Sequence, residues 1–288
     1  MRNVIVTGAN SGLGFETAKK IAKASGEYRL ILACRNAEKG KAAREAIVAE
    51  SGNENVVAMA LDTASLDSVR HFAANYEQSG YGAIYALLCN AGISGAHKGL
   101  TEDGFDVIFQ TNHLGHFLLT ELLLPHMAEN GLIFATSSDM HDSPMGKMAW
   151  RGTEALAHPD PSLGGENLRY SYSKLCNLYF IYALAERLEE QGSGIRANAF
   201  NPGMMKTNFM PFNKASMAFV RISMPDRFGD LDRSSTAYAR LAAEDGLVTG
   251  SGLYYDRSVD TRKSSALSYV RENREELWRK SMEYCGLK

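Results

Sequence analysis

The 288 residues, at roughly 100–200 per domain, make room for one large domain or two small ones, each able to bury a core. With 45% hydrophobic and 22% charged residues, the composition excludes long disordered, collagen-like or low-complexity architecture, and a formal net charge of −2 offers no basic excess to a nucleic acid or an anionic membrane. The four cysteines, Cys34, Cys89, Cys176 and Cys285, form no CxxC pair and lack the density of a disulfide scaffold, which predicts a reducing, cytoplasmic compartment.

Met1-Arg2-Asn3 runs straight into Val4-Ile5-Val6-Thr7-Gly8, which reads as a strand and its turn rather than a secretory signal. Strands are predicted at Val4–Val6, Leu30–Ala33, Val56–Leu61, Ala86–Cys89, Leu132–Ala135, Ile195–Phe200 and Gly252–Tyr255. Each of the first five is followed by enough chain for a helix, and the strands are apolar on both faces. This βα alternation predicts a Rossmann-type, doubly wound parallel sheet of about seven strands with helices on both faces, and ligands then bind at the carboxyl ends of the strands. No run approaches the roughly 18–20 apolar residues of a membrane span. Without a repeat or a Pro/Ser linker, residues 1–288 read as one nucleotide-binding domain.

The first strand ends in Thr7-Gly8-Ala9-Asn10-Ser11-Gly12-Leu13-Gly14 and enters a helical pattern through Phe15, Ala18, Ile21 and Ala22. A tight turn, a close backbone approach to a pyrophosphate and a helix packed near its strand each disfavour a side chain, while the helix start supplies free N–H groups. A glycine-rich turn without a ligand is the bland alternative, and the position between strand and helix argues against it. Cofactor choice turns on the end of the second strand, Leu32-Ala33-Cys34-Arg35-Asn36, where no acid is available for an adenine ribose. Glu27 precedes that strand and belongs to the wrong edge. Arg35 suits a 2′-phosphate, so the cofactor expected is NADP(H).

Four residues turn a helix by about 400°, so Tyr170 and Lys174 share a face whereas Tyr172 does not. With 13 tyrosines in the chain the spacing alone is weak, and Tyr284/Lys288 shares it. The Tyr170 pair gains weight from its place on a helix from about Arg169 to Glu190 after the fifth strand. That strand ends in Thr136-Ser137-Ser138 at the ligand edge, and chemistry alone does not separate the two serines. In a helix expected over Glu102–Asn130, Ile108, Asn112, Gly115, Leu119 and Leu122 form an apolar stripe. An asparagine buried there calls for partners and for a local distortion or an ordered water.

In order along the chain, the glycine segment, Leu61-Asp62, Asn90-Ala91-Gly92, Asn112, Ser138, Tyr170/Lys174 and Asn201-Pro202-Gly203 followed by Thr207 resemble the short-chain dehydrogenase/reductase family over nearly the whole length. Ala33-Cys34-Arg35-Asn36, Asn112–Phe117 and Ser173-Lys174-Leu175 are most similar to its retinol dehydrogenase and light-dependent protochlorophyllide oxidoreductase branch. The resemblance implies a catalytic set of Asn112, Ser138, Tyr170 and Lys174. It further implies a cofactor held by Gly8, Asn10, Ser11, Gly12, Leu13, Gly14, Arg35, Asn36, Asp62, Asn90, Ala91, Gly92, Tyr170, Lys174, Pro202, Gly203, Met205 and Thr207. Asp62 would lie near the adenine, Met205 and Thr207 near the nicotinamide. In the implied chemistry Tyr170 is the general acid or base with its pKa lowered by Lys174 and the oxidised nicotinamide, Ser138 binds the substrate oxygen, and Asn112 holds a relay water. Helices such as 102–130 and 169–190 often form subunit contacts in that family, implying a homodimer or homotetramer that an insertion before Tyr170 would obstruct.

Two stretches exceed the family core. Asp139–Arg169 carries Pro144, Trp150, Pro159, Pro161, Gly164 and Gly165. Asn208–Arg227 carries Met210, Phe212, Met217, Phe219, Val220, Ile222 and Met224, and reads as a lid over a bulky hydrophobic carbonyl or alcohol, or else as an ordinary packed helix. The rival chemistry is C=C reduction, suggested by Cys176 and opposed by Met204 where the protochlorophyllide enzymes have a cysteine. A silent NADP(H)-binding protein would typically lack members of the tetrad. The histidines, His113 and His116 included, show no metal spacing, so no metal is expected and a structural role is.

Overall fold

The computed structural model describes residues 1–94, 97–143, 148–158, 166–205 and 227–288. Seven strands, β1 (Arg2–Thr7), β2 (Tyr28–Cys34), β3 (Val56–Ala60), β4 (Ile84–Cys89), β5 (Met127–Thr136), β6 (Arg196–Asn201) and β7 (Tyr254–Asp256), form one sheet in the order β3-β2-β1-β4-β5-β6-β7. Every pairing is parallel, with Val4 between Leu30 and Ala86 and Ile5 between Ile31 and Leu87. Successive side chains leave a strand on opposite faces, so Val4 and Val6 enter one core while Ile5 enters the other.

On the Val4 face lie α1 (Gly12–Ala24), α2 (Ala37–Ser51) and α8 (Leu231–Ala243), which contribute Ile21, Ile47 and Leu241 to that core. On the Ile5 face lie α3 (Leu66–Gln78), α5 (Gly115–Leu123), α7 (Glu166–Glu190) and α9 (Arg271–Tyr284). Among the described residues no helix is long and apolar enough to cross a membrane, and all four cysteines are buried and unpaired.

The helix expected over residues 102–130 is shorter and interrupted. Thr101 and Phe105 close a turn, and Asp106 starts the helix by accepting the N–H groups of Ile108 and Phe109. A short α4 (Val107–Phe109) passes into a π turn, Gln110–Leu114, and then α5. Pro125, which lacks an N–H, ends the run in a single 3-10 turn, and residues 127–130 join β5. The helix around Tyr170 begins earlier than expected, at Glu166.

The carboxyl-terminal α9 lies across α5 and α7. Its Trp278 ring meets those of Phe117 and Phe180 at centroid distances of 4.9 and 6.2 Å, and the Arg187 guanidinium lies 4.2 Å over the indole. The chain's own last helix, rather than a second copy, therefore covers these aromatic side chains of the two helices expected to form subunit contacts. The described part of the first insertion is pinned to the same helix: Glu276 accepts from the Trp150 indole at 2.7 Å and from the Thr153 amide at 2.8 Å, next to the short α6 (Thr153–Ala157).

Gly115 sets how deeply α5 seats. A Cβ there would stand 2.1 Å from the carbonyl oxygen of Thr63, in the loop after β3, and backbone on both sides prevents relief. Gly115→Ala is expected to destabilise the fold by about 1–3 kcal/mol despite its better helix propensity. A melting temperature equal to or above that of the parent protein would contradict this account.

Candidate active site

In a parallel sheet of this winding, the connections leaving β1 and β4 diverge to opposite faces and open a crevice at their carboxyl ends. Thr7 closes β1 there and is fully buried. Its Oγ1 accepts the N–H groups of Asn90 and Ala91, both at 2.8 Å, and its carbonyl accepts from Asn90 Nδ2 at 2.8 Å. Gly8 follows at φ +66°, and a Cβ on it would meet Ala91 Cα at 3.0 Å; a Cβ on Gly14 would stand 2.5 Å from Asn90 Nδ2. Side chains are thus excluded where the two connections pass.

The start of α1, unlike those of α2, α3 and α8, carries no side-chain cap, so its first N–H groups remain available toward the crevice. A cavity of about 600 Å³ runs from Arg35 past Asn10–Leu13 and Asn90–Gly92 to Ser138, Tyr170 and Pro202–Met205. A glycine cradle, an uncapped helix start and an exposed arginine at one end fit the pyrophosphate and 2′-phosphate of a dinucleotide.

At the other end, α7 delivers two buried side chains to the tip of β5. Tyr170 hydrogen-bonds Ser138, and Lys174 Nζ donates to the Thr136 carbonyl at 2.9 Å while lying 5.6 Å from the Tyr170 ring centroid. Both serines line the cavity, but Ser137 commits its hydroxyl to the Lys174 carbonyl at 2.9 Å, whereas Ser138 meets the Tyr170 side chain. Tyr172 points away, its hydroxyl donating to the Ala149 carbonyl at 2.7 Å.

Burial pushes the Lys174 ammonium down to about 8. It pushes the Tyr170 phenol up, against the pull of the Ser138 hydrogen bond. Asp139, next to Ser138, is held by Arg257 and Arg262, which also contact Asp256 at the end of β7. His141 donates from Nδ1 to the Ser138 carbonyl at 2.6 Å, and its Nε2 accepts from the Ser265 amide at 3.0 Å.

Most of the residues singled out in the sequence converge on this cavity: Gly8, Asn10, Ser11, Gly12, Leu13, Arg35, Asp62, Asn90, Ala91, Gly92, Ser138, Tyr170, Lys174, Pro202, Gly203 and Met205 line it. Gly14 stands behind the wall as a packing contact. Asn36 instead caps α2, its Oδ1 accepting from the Lys39 amide at 2.8 Å. Asn112 is fully buried within the π turn: Oδ1 accepts from the Ile93 amide at 2.8 Å, and Nδ2 donates to the Ile93 carbonyl at 3.0 Å and to Ser173 Oγ at 2.9 Å. Both amide protons are used, so its side chain braces the wall between Ile93 and Ser173. Thr207, together with residues 144–147, 159–165 and 208–226 of the two insertions, lies outside the described residues.

The sequence reading passed over Thr63, Ile93, Ser94, His97, Thr111, Met140 and Leu231, which also line the cavity. They belong to no local motif, although the position of several just after a strand end was a usable signal. Among the described residues no cluster of three or more His, Cys, Asp or Glu could hold a metal.

Residues 2–150 match the short chain dehydrogenase family. Retinol dehydrogenase 13 of Homo sapiens is 34% identical over 291 residues, covering 99% of this chain and 85% of that protein. The chain belongs to the short chain dehydrogenase family. This oxidoreductase sits in its retinol dehydrogenase-like branch. WW domain-containing oxidoreductase of Gallus gallus is 40% identical over 209 residues; the aligned region is 70% of this chain but 48% of that protein, about half its length. The solved structure of an uncharacterized protein from Mycobacterium paratuberculosis superposes with a TM-score of 0.74 at 30% identity, covering 100% of this chain and 94% of that one.

The depressed Lys174 has a thermodynamic signature. Below pH 8 the ammonium is charged in both folded and unfolded chains, and the burial cost is constant. Between about 8 and the ordinary 10.5 the unfolded chain binds the extra proton, so stability contributed at this site rises with pH. The stability of the parent protein relative to Lys174→Met, measured by urea unfolding from pH 7 to 10, is expected to climb by about 1.4 kcal/mol per pH unit above pH 8. A flat difference would place the lysine in a solvated site.

Proposed function

We propose that this dehydrogenase/reductase moves a hydride between NADP(H) and the carbonyl or alcohol carbon of a bulky lipophilic substrate. The observation that carries the reading is the joining, in one cavity, of the glycine cradle and Arg35 at one end with the Tyr170–Ser138 pair and Lys174 at the other. The α1 start and the Asn90–Gly92 turn would hold the cofactor phosphates and ribose, Arg35 the 2′-phosphate, and Pro202–Met205 the nicotinamide side. When bound, the nicotinamide supplies or accepts the hydride.

The chain's own contribution is the proton. Burial keeps the Tyr170 phenol protonated at neutral pH, the state required of a general acid in reduction. As the substrate oxygen gains charge, Tyr170 Oη gives it a proton and Ser138 Oγ donates a hydrogen bond to it. Lys174, still mostly cationic at pH 7 with its pKa near 8, stabilises the phenolate left behind.

Ile93, Met140, Met204, Met205 and Leu231 give the cavity an apolar wall. The relative's name specifies retinol, a long apolar alcohol, which agrees with such a wall. Cys176, the residue behind the C=C alternative, is fully buried off the cavity with its thiol pushed up by burial, so it offers no proton there.

Tyr170→Phe should lower kcat by at least about a thousandfold while NADPH binding, followed by nucleotide fluorescence, stays within a few-fold. Undiminished carbonyl turnover would remove Tyr170 from the chemistry. Loss of a charged contact worth about 1.5–3 kcal/mol predicts that Arg35→Ala raises the KM for NADPH roughly tenfold to a hundredfold and leaves NADH unchanged. An equal effect on both nucleotides would overturn the 2′-phosphate role.

A further inference from the structure

His116 lies in the first turn of α5 and is 2% exposed. Its ring nitrogens face two different parts of the site. Nδ1 lies 3.3 Å from the main-chain carbonyl oxygen of Asn112, and Nε2 lies 2.9 Å from Thr7 Oγ1. A carbonyl only accepts, so Nδ1 carries the proton and Nε2 presents a lone pair.

Thr7 leads to the same assignment from the other side. Its hydroxyl lone pairs take the Asn90 and Ala91 amides, and its single proton has two acceptors in reach, the Leu88 carbonyl at 3.3 Å and His116 Nε2 at 2.9 Å. The shorter contact, to an otherwise unpaired ring nitrogen, takes it. From the Asn90–Ala91 turn, each group therefore donates to the next as far as the Asn112 carbonyl. The Asn112 side chain carries the connection on to Ser173, whose Oγ donates to the Tyr170 carbonyl at 2.7 Å.

We propose that His116, as a neutral Nδ1–H imidazole, is a positioning residue that ties the π turn bearing Asn112 to the Thr7–Asn90 cofactor cradle and so holds the Tyr170 helix in register with the bound nucleotide. The proposal rests on the oxidoreductase reading of the cavity. The charged or titratable groups acting on His116 are Lys174 and His113, one turn away. Burial above all, with the Lys174 charge adding to it and the bond to the Asn112 carbonyl opposing it, brings His116 down to about 4, so it stays neutral across the physiological range.

Two measurements test this. In protein labelled with 15N-histidine and free of substrate, the resonance lost in His116→Gln should be an Nδ1–H tautomer that does not titrate between pH 5.5 and 8; an Nε2–H tautomer, or a midpoint near the ordinary 6.5, overturns the proposal. Kinetically, His116→Gln keeps an acceptor for Thr7 and loses the donor to Asn112, so kcat should fall about tenfold with the KM for NADPH within threefold. His116→Asn keeps that donor and loses Thr7, so the KM for NADPH should rise about tenfold with kcat within threefold; tenfold corresponds to one hydrogen bond of about 1–1.5 kcal/mol. Two variants that change kcat and KM alike would show mere structural damage and overturn it. If either variant fails to fold, the wild-type tautomer, with the resonance assigned through Thr7→Val, decides the question. Parent protein that turns over no carbonyl or alcohol fails the functional reading, whereas the tautomer is read without turnover and still decides for or against His116.

Discussion

Thr7 stands where two crossovers of opposite direction leave adjacent parallel strands, and its backbone and hydroxyl hold the Asn90–Ala91 turn at hydrogen-bond distance. The crevice depends on how closely those two connections pass. Gly8 and Gly14 allow the approach, because a side chain at either would collide with Ala91, Asn90 or the Gly8 carbonyl. Once that spacing is set, the uncapped start of α1 and the tips of β4 and β5 point into one shared volume. The π turn then brings Asn112 against Ile93 and α7.

Desolvation dominates the electrostatics of this volume. It opposes the ammonium of Lys174 and the phenolate of Tyr170 alike, and the only hydrogen bond that relieves Lys174 among the described residues is to a carbonyl, not a carboxylate. The buried Asp139 and the half-buried Asp256 are treated differently, each sharing Arg257 and Arg262. Paired charges therefore brace the frame beside Ser138, while the nearly unpaired lysine is left where charge changes during reaction. A lysine neutralised by a carboxylate would give the phenolate far less stabilisation.

The strands were legible from short apolar runs, and the central ones most plainly, since a strand buried on both faces needs no partner information to be recognised. Helix limits were less so: periodicity carried the expected helix through residues 102–130, but Asp106 capping and Pro125 cut it at both ends. Asn36 looked like a cofactor contact because it follows Arg35, yet the start of α2 claims its side chain. The role of α9 was not legible at all, because Trp278 acquires meaning only against Phe117 and Phe180, nearly a hundred residues or more away.

By itself the sequence determined the parallel architecture, the glycine cradle and the tyrosine–lysine face, since each follows from local spacing: period two in strands, four residues per helical face, and glycine where a side chain will not fit. Only the tertiary structure showed which hydrogen-bond partners Ser137, Ser138 and Asn112 take, and it set the direction of both pKa shifts. Those outcomes depend on which groups are buried together and which hydrogen-bond partners remain, and burial and partnership are properties of the packed chain that no spacing along it contains.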